Sequence, residues 1–206
     1  MKGFLNNSIR VIHIGGHYGE KKNIYKNHNI PVLWIEAFQK NFLQLMQEIK
    51  PYANQRCIRA LVLDSDKKKY DFYISNNEAA SSSIFPLDQH KIIWPEVDFV
   101  EQTELESITL ETLIKTEGID LSLYDSLVLD TQGSELLILK GAKNILFHFK
   151  YIKTEAANFS SYQGGCVLHE IENYLQSQRY ELIAMDEFAT AKQVGSYYDI
   201  LFRRKE

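Results

Sequence analysis

The chain has 206 residues, 45% hydrophobic and 24% charged, with a formal charge of −4. That composition excludes a disordered chain and fits one globular domain over residues 1–206. The acidic balance argues against a nucleic-acid partner, whose phosphates require a basic surface, and no apolar run approaches the ~18 residues of a membrane span.

Two cysteines, Cys57 and Cys166, make neither a CxxC pair nor a disulfide framework. With no long apolar segment after Met1 to act as a secretion signal, a reducing, cytoplasmic location is expected.

In chain order, short apolar runs read as buried strands at 10–14 (RVIHI), 32–36 (VLWIE), 57–63 (CIRALVL), 126–130 (SLVLD) and 151–155 (YIKTE). Between them, helical spacing aligns Phe38, Phe42, Leu45 and Ile49. It also aligns Leu136, Leu139, Ile145 and Phe149 over 135–149, and later Leu168, Ile171 and Leu175. Strand alternating with helix predicts an α/β fold with a mostly parallel central sheet flanked by helices. Residues 70–74 alternate as a half-exposed strand. Residues 75–104, with "NNEAASSS" and two prolines, read as an insertion over the edge or mouth of the sheet, and 197–203 adds a last strand.

Ligands of open α/β sheets bind beyond the carboxyl ends of the strands. The first run ends there in Gly15-Gly16-His17-Tyr18-Gly19, where glycine lets the backbone approach a ligand closely. Glu36 ends the second run, 21 residues after Gly15, where a carboxylate would meet the ribose hydroxyls of a nucleoside cofactor. The spacing is Gly-Gly-x-x-Gly rather than GxGxxG, so this loop alone leaves the cofactor open. A tight turn with Glu36 as a surface charge is the plain alternative.

A second motif is more specific. In "LDTQGSELLILKGA", Asp130 closes a buried strand, Gly133 turns the chain, and Glu135 begins a helix whose dipole favours a carboxylate there. Glu135 reads as structural, binding backbone amides of the turn.

Together these stretches resemble the FkbM family of S-adenosylmethionine-dependent methyltransferases. "HIGGHYG" resembles its Asp-Val-Gly-Ala-(Asn/His)-x-Gly loop. "LWIEAFQKNF" resembles its Phe-Glu-Pro segment, with Ala37 for proline. "RALVLD", "SSSI", "ITLETLI" and "IKTEAA" follow in the family's order around the Asp-x-x-Gly-x-Glu-x-x-x-Leu-Lys-Gly-Ala motif. The likeness spans residues 10–160; the last 45 match loosely.

The resemblance implies a Rossmann-like class I methyltransferase fold and O-methylation of a sugar or glycan hydroxyl, a deoxyhexose such as rhamnose being favoured. By position, Gly15, Gly16, His17, Tyr18 and Gly19 would surround the methionine moiety. Glu36 and Ala37 would meet the ribose, Ala60 and Leu61 the adenine, and Ser82 the cofactor or acceptor. Asp130, Thr131 and Gln132 would face the sulfonium. His13 replaces the family's acid, so His13→Asp is expected to tighten the cofactor or change nothing. The short N-terminus fits either a minimal enzyme or one module of a larger glycan-building protein.

Methyl transfer is an in-line displacement, and a sugar hydroxyl needs a base or a metal. Asp130 and Glu155, on neighbouring strands ~4.8 Å apart, could converge on one hydroxyl or on one Mg²⁺ or Mn²⁺ ion. Helix capping is the plain alternative for both. Phe85, Trp94, Phe159 and Tyr162 are candidates to stack on a sugar, or ordinary packing. Rival readings are methylation of a non-sugar hydroxyl, an NAD-dependent oxidoreductase, a nucleic-acid methyltransferase and an inactive cofactor-binding subunit.

Overall fold

The computed structural model describes residues 2–205. Its main sheet has the order β3-β2-β1-β7-β8-β10-β9. Five of its strands run parallel: β1 (Val11–Ile14), β2 (Val32–Glu36), β3 (Gln55–Arg59), β7 (Ser126–Leu129) and β8 (Tyr151–Ala157). β9 (Tyr180–Ala191) and β10 (Gly195–Arg204) form a closing hairpin, and β10 lies antiparallel to β8.

Side chains alternate across a strand, and here they serve two cores. Ile12, Ile14, Leu33, Leu127 and Leu129 face α4 (Leu110–Thr116), α5 (Glu135–Gly141) and α6 (Leu168–Ser177). Val11, Val32, Trp34 and Val128 face Tyr25 of α1 (Lys22–Asn27) and Leu45 and Ile49 of α2 (Gln39–Ile49). Both faces of the central strands are covered, which is why they read as unbroken apolar runs.

Several boundaries differ from the sequence reading. The expected strand at 57–63 is two strands. β3 is an exposed edge of the main sheet, whereas β4 (Leu61–Leu63) joins a small sheet of order β4-β6-β5. The chain crosses between them at Ala60, whose N–H donates to the Glu36 carbonyl at 3.1 Å. The expected helix at 135–149 stops at Gly141; the apolar spacing continues, but through turns and a 3-10 segment at Leu146–His148. The stretch 75–104 is structured. It holds the end of β5 (Lys69–Ser75), α3 (His90–Ile93) and the start of β6 (Phe99–Thr109). Among the described residues no helix is long and apolar enough to cross a membrane.

Candidate functional site

The sheet order reverses beside β1, between strands that lead outward through β2 and through β7. The loops after β1 and β7 therefore lie side by side. Asp130 N–H donates to the Ile14 carbonyl at 3.0 Å, and Gly15 and Gly16 N–H both donate to the Ile35 carbonyl, at 2.9 and 3.0 Å. Gly15 sits at φ +84°, and a Cβ there would lie 1.8 Å from the Asp130 carbonyl oxygen, so only glycine lets the two loops meet.

A cleft of about 260 Å³ opens over this junction. Gly15, Gly16, His17 and Lys21 form one wall, and Asp130, Thr131, Gln132 and Ser134 the opposite one. Glu36, Ala37 and Asn41 line its middle. Its apolar end is made by Ala60, Leu61, Val62, Phe72, Ala79 and Ile84, with Ser82 beside them. Every residue expected at a cofactor lines this cleft except Tyr18 and Gly19. Tyr18 stacks on His17, with centroids 4.0 Å apart. Gly19 faces Leu45, which a Cβ would approach to 2.8 Å.

Glu36 is buried, and its two oxygens accept from the N–H groups of His17 and Phe38, both at 2.8 Å. Burial pushes its carboxyl up to about 7. His17 pairs with Glu20 and its Nε2 meets the Glu78 carbonyl at 2.9 Å. The Tyr18 hydroxyl donates to the same carbonyl at 3.2 Å, so the segment after β5 is tied to the glycine loop. Burial lowers the His17 pKa, but Glu20 outweighs it and the net shift is upward.

Asp130 lies one residue beyond β7. Its Oδ2 accepts from Lys21 Nζ at 2.9 Å and its Oδ1 from Gln132 Nε2 at 3.2 Å. Burial would raise its pKa, but the Lys21 ammonium prevails and holds it below the usual carboxylate range. Glu135 binds the turn as expected, accepting from Thr131 N–H at 2.8 Å and Gly133 N–H at 3.0 Å. The serine-rich stretch is built in rather than loose. Ser82 Oγ accepts from Ser75 N–H at 3.0 Å, and Ser83 Oγ donates to the Gln132 carbonyl at 2.7 Å. That carbonyl belongs to a non-glycine residue at φ 57°, a conformation its neighbours must hold in place.

Glu155 lies inside β8 rather than at its end, and it does not line the cleft. It faces an adjoining crevice with Glu135, Tyr162, Cys166 and Tyr197. Gln132 lines both spaces. Its Oε1 accepts from the Tyr162 hydroxyl at 2.9 Å. Burial and the nearby Asp130 charge push Glu155 well up. Phe159 and Tyr162 are interior residues, so neither is an exposed platform for a sugar.

The residues do not fit the expected divalent ion. Among the described residues no three of His, Cys, Asp or Glu gather as a metal cluster, and the Asp130 oxygen that would ligate it holds an ammonium. They do fit a nucleoside with a charged tail. The cleft joins an apolar end, a buried carboxylate and a glycine wall. It also contains the buried Asn41, whose Oδ1 has no partner and so expects a ligand donor.

His13 lies beneath the cleft. Its Nδ1 is 2.9 Å from the Tyr25 hydroxyl and its ring stacks on Trp34. Lys21, Asn41, Phe72 and Ile84 are lining residues that sequence reasoning missed. Lys21 lies two residues after the glycine loop, which was the one local signal available. Its partner lies 109 residues away.

Sheet order and cleft together define an α/β protein of the class I methyltransferase fold. Solved structures agree in fold. M. capricolum TrmK in complex with S-adenosylhomocysteine is 11% identical with a TM-score of 0.56, covering 100% of this chain and 68% of its own. Magnesium protoporphyrin IX methyltransferase (ChlM) from Synechocystis PCC 6803, with bound S-adenosylmethionine, is 10% identical with a TM-score of 0.53, covering 99% and 76%. The 1,6-didemethyltoxoflavin-N1-methyltransferase of Burkholderia thailandensis is 7% identical with a TM-score of 0.52, covering 100% and 76%. No curated protein matches the chain in sequence. The methyltransferase FkbM domain model matches residues 13–182, and the chain belongs to that family.

Proposed function

We propose that the protein transfers a methyl group from S-adenosylmethionine to a hydroxyl of a sugar or glycan. One observation supports the cofactor most: a single cleft at the switch point joins an apolar end, the buried Glu36 carboxylate and the glycine wall. Ala60, Leu61, Phe72 and Ile84 would hold the adenine. Glu36, with Ala37 and Asn41, would accept from the ribose hydroxyls. Gly15, Gly16, His17 and Thr131 would enclose the methionine end, with Ser82 closing the rim and Tyr18 and Gly19 shaping the loop from behind. When bound, S-adenosylmethionine supplies an electrophilic methyl whose carbon–sulfur electron pair departs with the sulfur.

The chain's own residues then align the acceptor and take its proton. Asp130, kept ionised by Lys21, supplies fixed negative charge beside the cationic end of the cofactor. Burial and the neighbouring Asp130 charge raise the pKa of Glu155, which makes its carboxylate a stronger base than an ordinary one. Gln132 lines both the cleft and the crevice that holds Glu155, so an acceptor seated beside it would lie between the cofactor and that carboxylate. No step is routed through a metal. The sugar hydroxyl rests on family membership; methyltransferases of this fold act on varied acceptors.

Mass spectrometry of labelled methyl transfer to a panel of deoxyhexosides and hexosides tests this reading, run with and without a strong chelator. Label in a glycoside, undiminished by chelator, is expected. Label only in non-sugar acceptors would move the substrate class.

A further inference from the structure

Lys21 is the unexpected charge in the cleft. Its Nζ stands 2.9 Å from Asp130 Oδ2, across the space between the glycine wall and the loop after β7. Neither side chain is sealed away: Lys21 is 37% and Asp130 26% exposed, and both line the cleft. The pair is part-buried, yet both groups still face the cleft. It places one cation and one anion within reach of whatever enters.

The other charges nearby are placed differently. Glu20 is paired with His17, Lys153 with Asp199, and Glu135 with backbone N–H groups of its turn, while Glu36 is buried in the middle of the cleft and Glu155 lines the adjoining crevice. His13, below the pair, is a ring locked between Tyr25 and Trp34. The exposed charge at this end of the cleft is therefore the Lys21–Asp130 pair, which is matched in sign and number to an amino-acid zwitterion.

We propose that Lys21 and Asp130 are a preformed clamp for the amino-acid tail of the cofactor. The Lys21 ammonium receives the α-carboxylate and the Asp130 carboxylate receives the α-ammonium. The inference rests on the cofactor reading above and specifies which residues read its tail. In the free protein the two groups satisfy each other. On binding, one ion pair is exchanged for two, so neither protein charge is left unpaired.

Calorimetry with two ligands tests the clamp on the intact chain. S-adenosylhomocysteine carries the tail; 5′-methylthioadenosine has the adenosine and sulfur without it. Lys21→Met is expected to weaken S-adenosylhomocysteine by about tenfold or more, as loss of a charge-assisted contact does. It should leave 5′-methylthioadenosine within about twofold, and Lys21→Arg should recover most of the loss. Equal weakening of both ligands, or no weakening of S-adenosylhomocysteine, overturns the clamp. If the unsubstituted protein binds neither ligand, the cofactor reading falls and the clamp with it. If it binds both and Lys21→Met changes nothing, the clamp alone falls.

Discussion

His13 lies nearly flat on Trp34, with ring centroids 4.5 Å apart and planes at 27°. The imidazole is buried, and burial drives its pKa well down, so it packs as a neutral ring. The expectation for His13→Asp concerned cofactor affinity; the packing adds a cost to the fold. His13→Asp removes the stack and the bond to Tyr25, and it sets a second carboxylate near Asp130. We expect a loss of about 2 kcal/mol, a drop in melting temperature of roughly 4–8 °C. An unchanged or higher melting temperature would show that the ring is not needed.

In the proposed ribose-binding role, Glu36 would link cofactor binding to pH. Its pKa is raised from 4.5 to about 7 in the folded protein. For this group alone, the folded state holds its proton more tightly. Its stabilising contribution is therefore complete below 4.5 and lost as pH rises through about 7. In that role the ionised form is the one that would accept two ribose hydroxyls. Affinity for S-adenosylhomocysteine should thus rise by about tenfold between pH 6 and pH 8. Glu36→Gln should weaken binding and flatten that profile in calorimetry; a profile as steep as that of the unsubstituted protein would assign the titration to another group.

Gly141 explains the glycine of the "LKGA" sequence. A Cβ there would lie 2.2 Å from the Leu63 carbonyl oxygen, where α5 crosses β4. Backbone cannot step aside as a side chain can. Gly141→Ala should cost about 2–3 kcal/mol and lower the melting temperature by roughly 5–10 °C. A change under about 2 °C would mean that the two elements separate easily.

Glu155 should be separable from cofactor binding, because it lines the adjoining crevice and not the cleft. Glu155→Gln is expected to lower kcat by about 10²–10⁴-fold. S-adenosylhomocysteine affinity should stay within about threefold. Full turnover in this variant would remove Glu155 as the proton acceptor.

The parallel centre of the fold was legible because each short strand is buried on both faces, as in "SLVL" of β7, every residue of which is buried. Glu135 was legible because its amide partners are two to four residues away. β9 was not, since most of "YELIAMDEFATA" is exposed on the sheet edge and shows no apolar alternation. β6 was missed for a similar reason, with Glu101, Glu104 and Glu106 outward in a small two-faced sheet. The helix after Ser134 was read too long because Ile145 and Phe149 keep helical spacing while the backbone turns. Lys21, Asn41 and Phe72 reach the cleft only through tertiary packing, so no local pattern marks them.

The central claim is that the cleft between Glu36 and Asp130 is an S-adenosylmethionine site. Its most direct test is titration of S-adenosylhomocysteine and, separately, NAD into the unsubstituted protein and Glu36→Ala. One-to-one binding of S-adenosylhomocysteine is expected, weakened by about tenfold or more in Glu36→Ala, with no heat from NAD. Binding of NAD without S-adenosylhomocysteine, or S-adenosylhomocysteine binding indifferent to Glu36→Ala, would contradict it.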